Sequence, residues 1–227
     1  MSFHNYVTGT GGGDLLSEYR REAVIRYIED RIFIFLLVTL IFITGIIGGA
    51  VAVNGLREGQ KLELTQYLHL FFQGFKGESQ PAVELAPAGK IVLSHLKTLF
   101  LFFLFGFSVI GAPAILFLVF TKGFILGFTA GFILKQWAGR GFLFVIASLL
   151  PHHILIVPAV LIAAVANIDF AGALLKGRWG KKVPYPLAGE LLRCLGLNGA
   201  SFLLLLIAGL VEGVLAPYLI YWVARLF

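Results

Sequence analysis

The chain has 227 residues, of which 59% are hydrophobic and only 13% are charged, and its mean hydropathy is +0.91. Because a soluble domain carries roughly 25% charged residues, this composition excludes an ordinary water-soluble protein. The net charge of +6 lies mostly at the ends of apolar runs, which is typical of membrane orientation rather than nucleic-acid binding. The single cysteine, Cys194, excludes an internal disulfide and a thiolate metal cluster.

Long continuous apolar runs predict an all-α integral membrane protein with about five transmembrane helices, one of them kinked or broken. Runs of about 20 residues are long enough to cross the roughly 30 Å hydrocarbon core. A β-barrel is disfavoured because its strands alternate in polarity. We expect residues 1–31 to form a cytoplasmic tail with an amphipathic helix, and residues 32–227 to form a polytopic membrane domain.

The first span is predicted over Ile32–Val53, as an uncleaved anchor, and an external loop follows over residues 54–90. The first part of this loop predicts an amphipathic helix on the membrane surface, because its apolar residues share one helical face. The second part, Gly77–Gly89, predicts irregular chain. The residues on the apolar face are Leu64, Leu68, Phe71, Phe72 and Phe75.

The apolar run from Ile91 to Leu134 is about twice the length of one span, so the chain must turn back within it. A turn at Thr121-Lys122 would leave a second piece too short to cross. A turn at Gly111-Ala112-Pro113 gives two normal spans, Ile91–Gly111 and Pro113–Lys135, and proline suits the start of a helix. Length therefore favours the second turn.

The fourth span is predicted over Phe142–Ile168, with interruptions at Pro151-His152-His153 and at Pro158. The last span is predicted over Ser201–Val223, ending in an aromatic belt. Lysines and arginines in the tail and in the predicted loop Asp169–Gly196 place the N-terminus in the cytoplasm and the 54–90 loop outside.

Four ionisable side chains are predicted near the membrane midplane: Lys122, Glu212, His152 and His153. A charge at that depth costs about 2.5–3.5 kcal/mol on insertion scales, so each needs a partner or a cavity. We expect Lys122 to pair with Glu212, directly or through water, either as part of a proton or substrate path or a hydrolytic centre, or as a structural ion pair.

For the two histidines a structural role is favoured. Neighbouring side chains on a helix point about 100° apart, so His152 and His153 cannot easily share a metal. The sequence contains no recognised nucleophile or metal-ligand motif. We therefore expect no catalytic residue, metal or cofactor.

Glycine recurs at every fourth position in Gly123, Gly127 and Gly131. Small residues at this spacing let two helix backbones approach closely in lipid. The groove can hold a neighbouring helix of the same chain or a second subunit, and we predict a homodimer packed partly through it.

Two segments resemble the stage II sporulation protein M family: Phe107–Ile133, which contains F-T-K-G-F-I-L-G-F-T-A-G-F-I, and Leu149–Ala163, with L-L-P-H-H-I-L-I-V-P. The resemblance runs from the first span to the last. Family members often carry P-H-G-I-F-E-x-P in the fourth span and a glutamate near a proline in the last. Here His153 replaces the glycine and Ile156 replaces the glutamate. The matching positions are Pro151, His152, Ile154, Pro158, Glu212 and Pro217.

The resemblance implies a non-enzymatic membrane scaffold in the engulfment machinery of an endospore-forming bacterium. In that family the scaffold acts at the sporulation septum with two hydrolases that remodel peptidoglycan, the stage II sporulation proteins D and P. The alternative function is a transporter or channel subunit with a midplane site at Lys122 and Glu212. Neither interpretation involves nucleic acid.

Overall fold

A computed structural model describes residues 29–76, 85–108, 111–179, 187–215 and 218–219, and these form helices and turns with no strand. The predicted tail and its helix, up to residue 28, lie outside these ranges. The helices are α1 (Ile32–Ala52), α2 (Glu58–Lys76), α3 (Leu85–Gly106), α4 (Gly111–Ser148), α5 (Leu150–Trp179) and α6 (Leu187–Leu210), followed by a π-helical turn (Val211–Leu215).

Four of these helical segments are long and apolar enough to cross a membrane: Ile32–Gly55, Gly111–Ser148, Leu150–Lys176 and Leu187–Val214. A shorter apolar segment, Val92–Gly106, forms most of α3. These helices confirm the prediction of an all-α membrane protein. The amphipathic helix predicted after the first span is present as α2.

Helices α1 and α4 pack directly backbone to backbone through glycine. A Cβ atom on Gly123 would overlap the carbonyl oxygen of Phe42, and one on Gly127 would overlap that of Ile46. On the other helix, a Cβ on Gly45 would overlap the carbonyl oxygen of Phe120. Side chains larger than hydrogen would therefore force the two backbones apart.

The predicted glycine stripe is thus occupied by the first helix of the same chain. Gly131 completes it, because a Cβ there would lie 3.0 Å from the Cα of Ala50. The stripe gives no support to a homodimer, which stays a prediction. A row of phenylalanines that follows the stripe stacks along α4, with Phe124 and Phe128 ring centroids 6.2 Å apart.

The glycine contacts also determine the topology. Contacting residue numbers on α1 and α4 increase together, so the two helices run parallel. Two helices run parallel only if the chain crosses back once between them. Helix α3 makes that crossing, because it packs against α4, α5 and α6, and α2 therefore stays beside one end of the bundle.

The break between α3 and α4 comes slightly before the predicted turn at Gly111-Ala112-Pro113, and residues 109–110 within it lie outside the described ranges. Helix α3 ends at Gly106 and α4 begins at Gly111. Pro113 lies in the first turn of α4, where the missing N–H has no cost. The alternative turn at Thr121-Lys122 is wrong, because α4 is continuous through both residues.

The third and fourth spans differ from the predictions at their boundaries, and the interruption predicted at Pro158 is wrong because the helix is continuous there. Helix α4 reverses at Ala138, whose φ of 43° is unusual for a residue with a Cβ. Residues 139–148 then run back alongside the preceding part of α4, where Gly141 packs against the carbonyl group of Ile133. The helix is interrupted at Leu149, two residues before Pro151, and α5 then continues past Pro158 to Trp179.

The predicted start of the last span is also wrong, and so is the irregular chain predicted over residues 85–89, while residues 77–84 of that prediction lie outside the described ranges. Helix α6 begins at Leu187 rather than Ser201, and α3 begins at Leu85 within the segment predicted as irregular. Both helices extend beyond the apolar run, so hydropathy alone underestimated their length. Of the predicted aromatic belt, only Tyr218 falls inside the described ranges.

Polar contacts fix one end of the bundle, here called the Arg31 end. Arg31 Nε donates to Asp169 Oδ2 at 2.5 Å, which joins the start of α1 to α5. Fully buried Asn167 donates through Nδ2 to the Ala163 carbonyl at 2.7 Å and to Asn198 Oδ1 at 3.0 Å. These bonds set the register of α5 against α1 and α6.

Candidate functional site

A cavity of about 240 Å³ lies within the bundle, and it is lined from α3, α4, α5, α6 and the π-helical turn. All four ionisable residues predicted at membrane depth line it, although they come from distant parts of the sequence. Apolar side chains and two threonines form the rest of its wall. The ionisable lining residues are His95, Lys122, His152, His153 and Glu212.

The cavity lies between the two ends of the bundle. Lys122 precedes Gly123, which packs between Phe42 and Ile46 of α1, so Lys122 is level with about Thr44. At 1.5 Å per residue, this level is roughly 20 Å from Arg31 and roughly 15 Å from Asn54. The lysine therefore sits near the middle of the span formed by α1.

Glu212 is paired with a histidine that the sequence analysis missed. His95 Nε2 on α3 lies 3.4 Å from Glu212 Oε2, and both side chains are largely buried. His95 does not stand out in the sequence because a neutral histidine is not counted among the formal charges of its apolar run. Its position in a predicted membrane span, where a histidine is unusual, could have identified His95 as a candidate site residue.

The π-helical turn gives Glu212 its position. Widening of the helix over Val211–Leu215 follows directly after Gly209, which packs against Val92 of α3. The close approach of α6 to α3 at this glycine places the Glu212 side chain within reach of His95, which lies about one helical turn from Val92. Such π-helical turns are frequent at functional sites.

Lys122 makes no direct pair with Glu212. Within the described ranges no carboxylate oxygen lies within 4 Å of its ammonium group, and it has no hydrogen-bond partner there. Pairing of Glu212 with His95 turns the carboxylate toward α3, which explains the separation. The predicted direct contact is therefore wrong, and contact through water stays a prediction.

His152 and His153 lie side by side with ring centroids 4.4 Å apart. His153 Nδ1 lies 2.8 Å from the Leu149 carbonyl, so this nitrogen carries the proton and the other nitrogen is an acceptor in the neutral ring. His152 is only 7% exposed, and its Nδ1 has no hydrogen-bond partner. Pro151 holds both residues in the first turn of α5.

The cavity can hold and orient a polar guest. Among the described residues no group of three or more histidine, cysteine, aspartate or glutamate side chains is arranged to hold a metal ion. The lining includes no cysteine or serine. Its polar groups can donate hydrogen bonds, accept them and exchange protons.

The protein-family model described as "Stage II sporulation protein M" matches residues 38–217. The matched range includes most of α1, all of α2 to α6 and the cavity. Comparison with curated proteins and with solved structures gives no match.

Proposed function

The chain belongs to the stage II sporulation protein M family, and on that premise we propose that it is a non-enzymatic membrane scaffold for cell-wall hydrolases. The scaffold localises and holds these enzymes while septal peptidoglycan is remodelled during forespore engulfment. Family membership makes the chain a sporulation-related membrane protein, and the family is not known as an enzyme family. The match over residues 38–217 carries the proposal.

Helix α2 supports this proposal because it is an exposed element beside the bundle. It begins at Glu58, six residues after the end of α1 and near Asn54, and it exposes Leu62, Tyr67 and Leu70 by 61%, 64% and 65%. The face that carries Leu64 and Leu68 suits the membrane surface, and the opposite face, which carries exposed Gln66, is then accessible to ectodomains. We assign the partner contact to this segment, with the stage II sporulation proteins D and P as partners.

Site-specific crosslinking in sporulating cells tests the proposal. A photo-crosslinking residue at Gln66, exposed on α2, should capture one or both hydrolases at the septum. The same residue at Ala188, exposed at the Arg31 end of the bundle, is the matched control and should capture neither. Capture from Ala188 alone, or from neither position, contradicts the scaffold role assigned to α2.

A second candidate function is a transporter or channel subunit, and the cavity at mid-depth favours it. Liposomes that contain the purified chain should then show proton or small-anion flux that Lys122→Met reduces. Flux equal to that of protein-free liposomes would exclude this candidate and leave the scaffold role untouched.

A further inference from the structure

The cavity contains hydrogen-bonding atoms that the protein itself does not satisfy. His152 Nδ1 is buried in its wall without a partner, and the Lys122 ammonium group has no partner in the described part of the chain. Leaving a buried polar atom unpaired is unfavourable, because it loses its hydrogen bond to water without gaining another. A volume of about 240 Å³ is far more than one water needs, so the cavity can hold a guest that pairs with these atoms.

The wall is polar on one side and apolar on another. Leu126, Ile156 and Val160 contribute apolar surface, while Ile125 and Thr129 line the cavity and are exposed on the outside of α4. A guest can therefore enter from the side of the bundle. The same wall accepts a small polar molecule or the acidic end of an amphiphile.

Charge balance restricts the chemistry of the guest. With neutral histidines, Lys122 and Glu212 compensate each other, and a net charge in a low-dielectric site is costly. A bound cation would lie beside the positive charge of Lys122, and charge balance would then require the lysine to give up its proton. A bound anion can be compensated, because a neutral histidine can take up a proton.

We propose that this cavity binds a small oxyanion, a carboxylate or a phosphate, together with one proton taken up by a cavity histidine. The oxyanion accepts hydrogen bonds from Lys122 Nζ and from His152. The proton comes from solvent and stays on the histidine, so the charge of the occupied site is the same as that of the empty one. Glu212 remains paired with His95.

The charged and titratable groups on the helices around the cavity agree with this charge balance. The ionisable groups that face the guest are His95 on α3, Lys122 on α4, the two histidines on α5 and Glu212 on the π-helical turn. Helix α1, which packs against α4, carries no charged residue over Ile32–Ala52. The charged residues of α6, Glu190 and Arg193, precede Glu212 by roughly 30 Å of helix.

Calorimetric titration of the full chain in a neutral maltoside detergent tests the proposal. Sodium acetate and sodium phosphate probe a water-borne oxyanion, sodium dodecanoate probes a membrane-borne acidic group, and sodium chloride is the control. Repeating the acetate and dodecanoate titrations in two buffers of different ionisation enthalpy measures the proton uptake. We expect binding in at least one oxyanion arm, with about one proton taken up per site, as charge balance requires.

Two variants make the assignment specific. Lys122→Met should weaken oxyanion binding about tenfold or more, because a charge-assisted hydrogen bond is lost. Lys97→Met, at an exposed position on α3, is the matched control and should bind like the unmodified chain. Glu212→Gln removes one negative charge, so it should still bind the oxyanion while proton uptake falls from about one to about zero.

Three results would overturn the proposal. They are the absence of binding in all three oxyanion arms, equal affinity in the Lys122→Met and Lys97→Met variants, and unchanged proton uptake in Glu212→Gln. If Lys122→Met fails to fold, the proton count of Glu212→Gln decides alone. The measurement involves neither hydrolases nor flux, so its failure leaves both candidate functions standing.

Discussion

His95 and Glu212 lie 117 positions apart in the chain, yet their Nε2 and Oε2 atoms are 3.4 Å apart in the bundle. The contact joins α3 to the π-helical turn, and the side chains are 16% and 29% exposed. Neither group is solvated as it would be at the surface. Each therefore depends on the other for much of its electrostatic stabilisation.

Double-mutant cycles should reveal this dependence. We expect His95→Gln and Glu212→Gln to be coupled, so that the double variant loses less stability than the sum of the single losses. Breaking a buried pair by removing one partner costs about 3–5 kcal/mol, and partial exposure lowers that figure here. Thermal or denaturant unfolding in detergent measures the effect.

A second cycle, Lys122→Met with Glu212→Gln, tests contact through water across the cavity. Because no direct ion pair is present, we expect a smaller coupling than in the His95 cycle. Additivity within about 0.5 kcal/mol would mean that the lysine and the glutamate act independently. A larger coupling for Lys122 than for His95 would contradict the observed pairing.

The glycine contact between α1 and α4 predicts that a single methyl group is harmful. Gly127→Ala places a Cβ against the backbone of Ile46, which cannot rotate away as a side chain could. We expect a loss of about 1–3 kcal/mol, the range for overpacking, seen as a lower melting temperature in detergent. Gly172→Ala on α5 is the control, because a Cβ there meets no atom within 4 Å.

The same variant bears on the predicted homodimer. Because the stripe is filled by α1 of the same chain, Gly127→Ala should lower stability without changing the mass of the particle by light scattering. Conversion of a dimer to a monomer by this one methyl group would place the stripe at a subunit interface. It would also contradict the packing of α1 on α4.

Orientation in the membrane can be tested by cysteine labelling in a Cys194→Ser background. We expect an impermeant thiol reagent to modify Gln66→Cys on α2 from outside the cell and to leave Ala188→Cys unmodified until the membrane is opened. The reason is the excess of lysine and arginine near the Arg31 end. If the reagent modified only Ala188→Cys in intact cells, the orientation would be opposite to the predicted one.

Much of the fold could be predicted from the sequence because hydropathy is a local property. Twenty apolar residues must be helical in lipid wherever they lie, since every backbone group needs an internal partner. The turn before Pro113 followed from the same kind of argument, because two spans need a minimum length. The starts of α3 and α6 could not be predicted in this way, because both helices extend beyond the apolar segment into residues with polar side chains.

The sequence by itself determined that Lys122, Glu212, His152 and His153 are costly at membrane depth and that the glycines of α4 allow close packing. Tertiary structure alone decided their partners. Glu212 pairs with His95 rather than Lys122 because Gly209 brings α6 against α3, and the stripe is filled by α1 because two glycines on that helix match it. Helical periodicity specifies the face on which a residue lies, but which faces meet depends on packing between segments far apart in the chain.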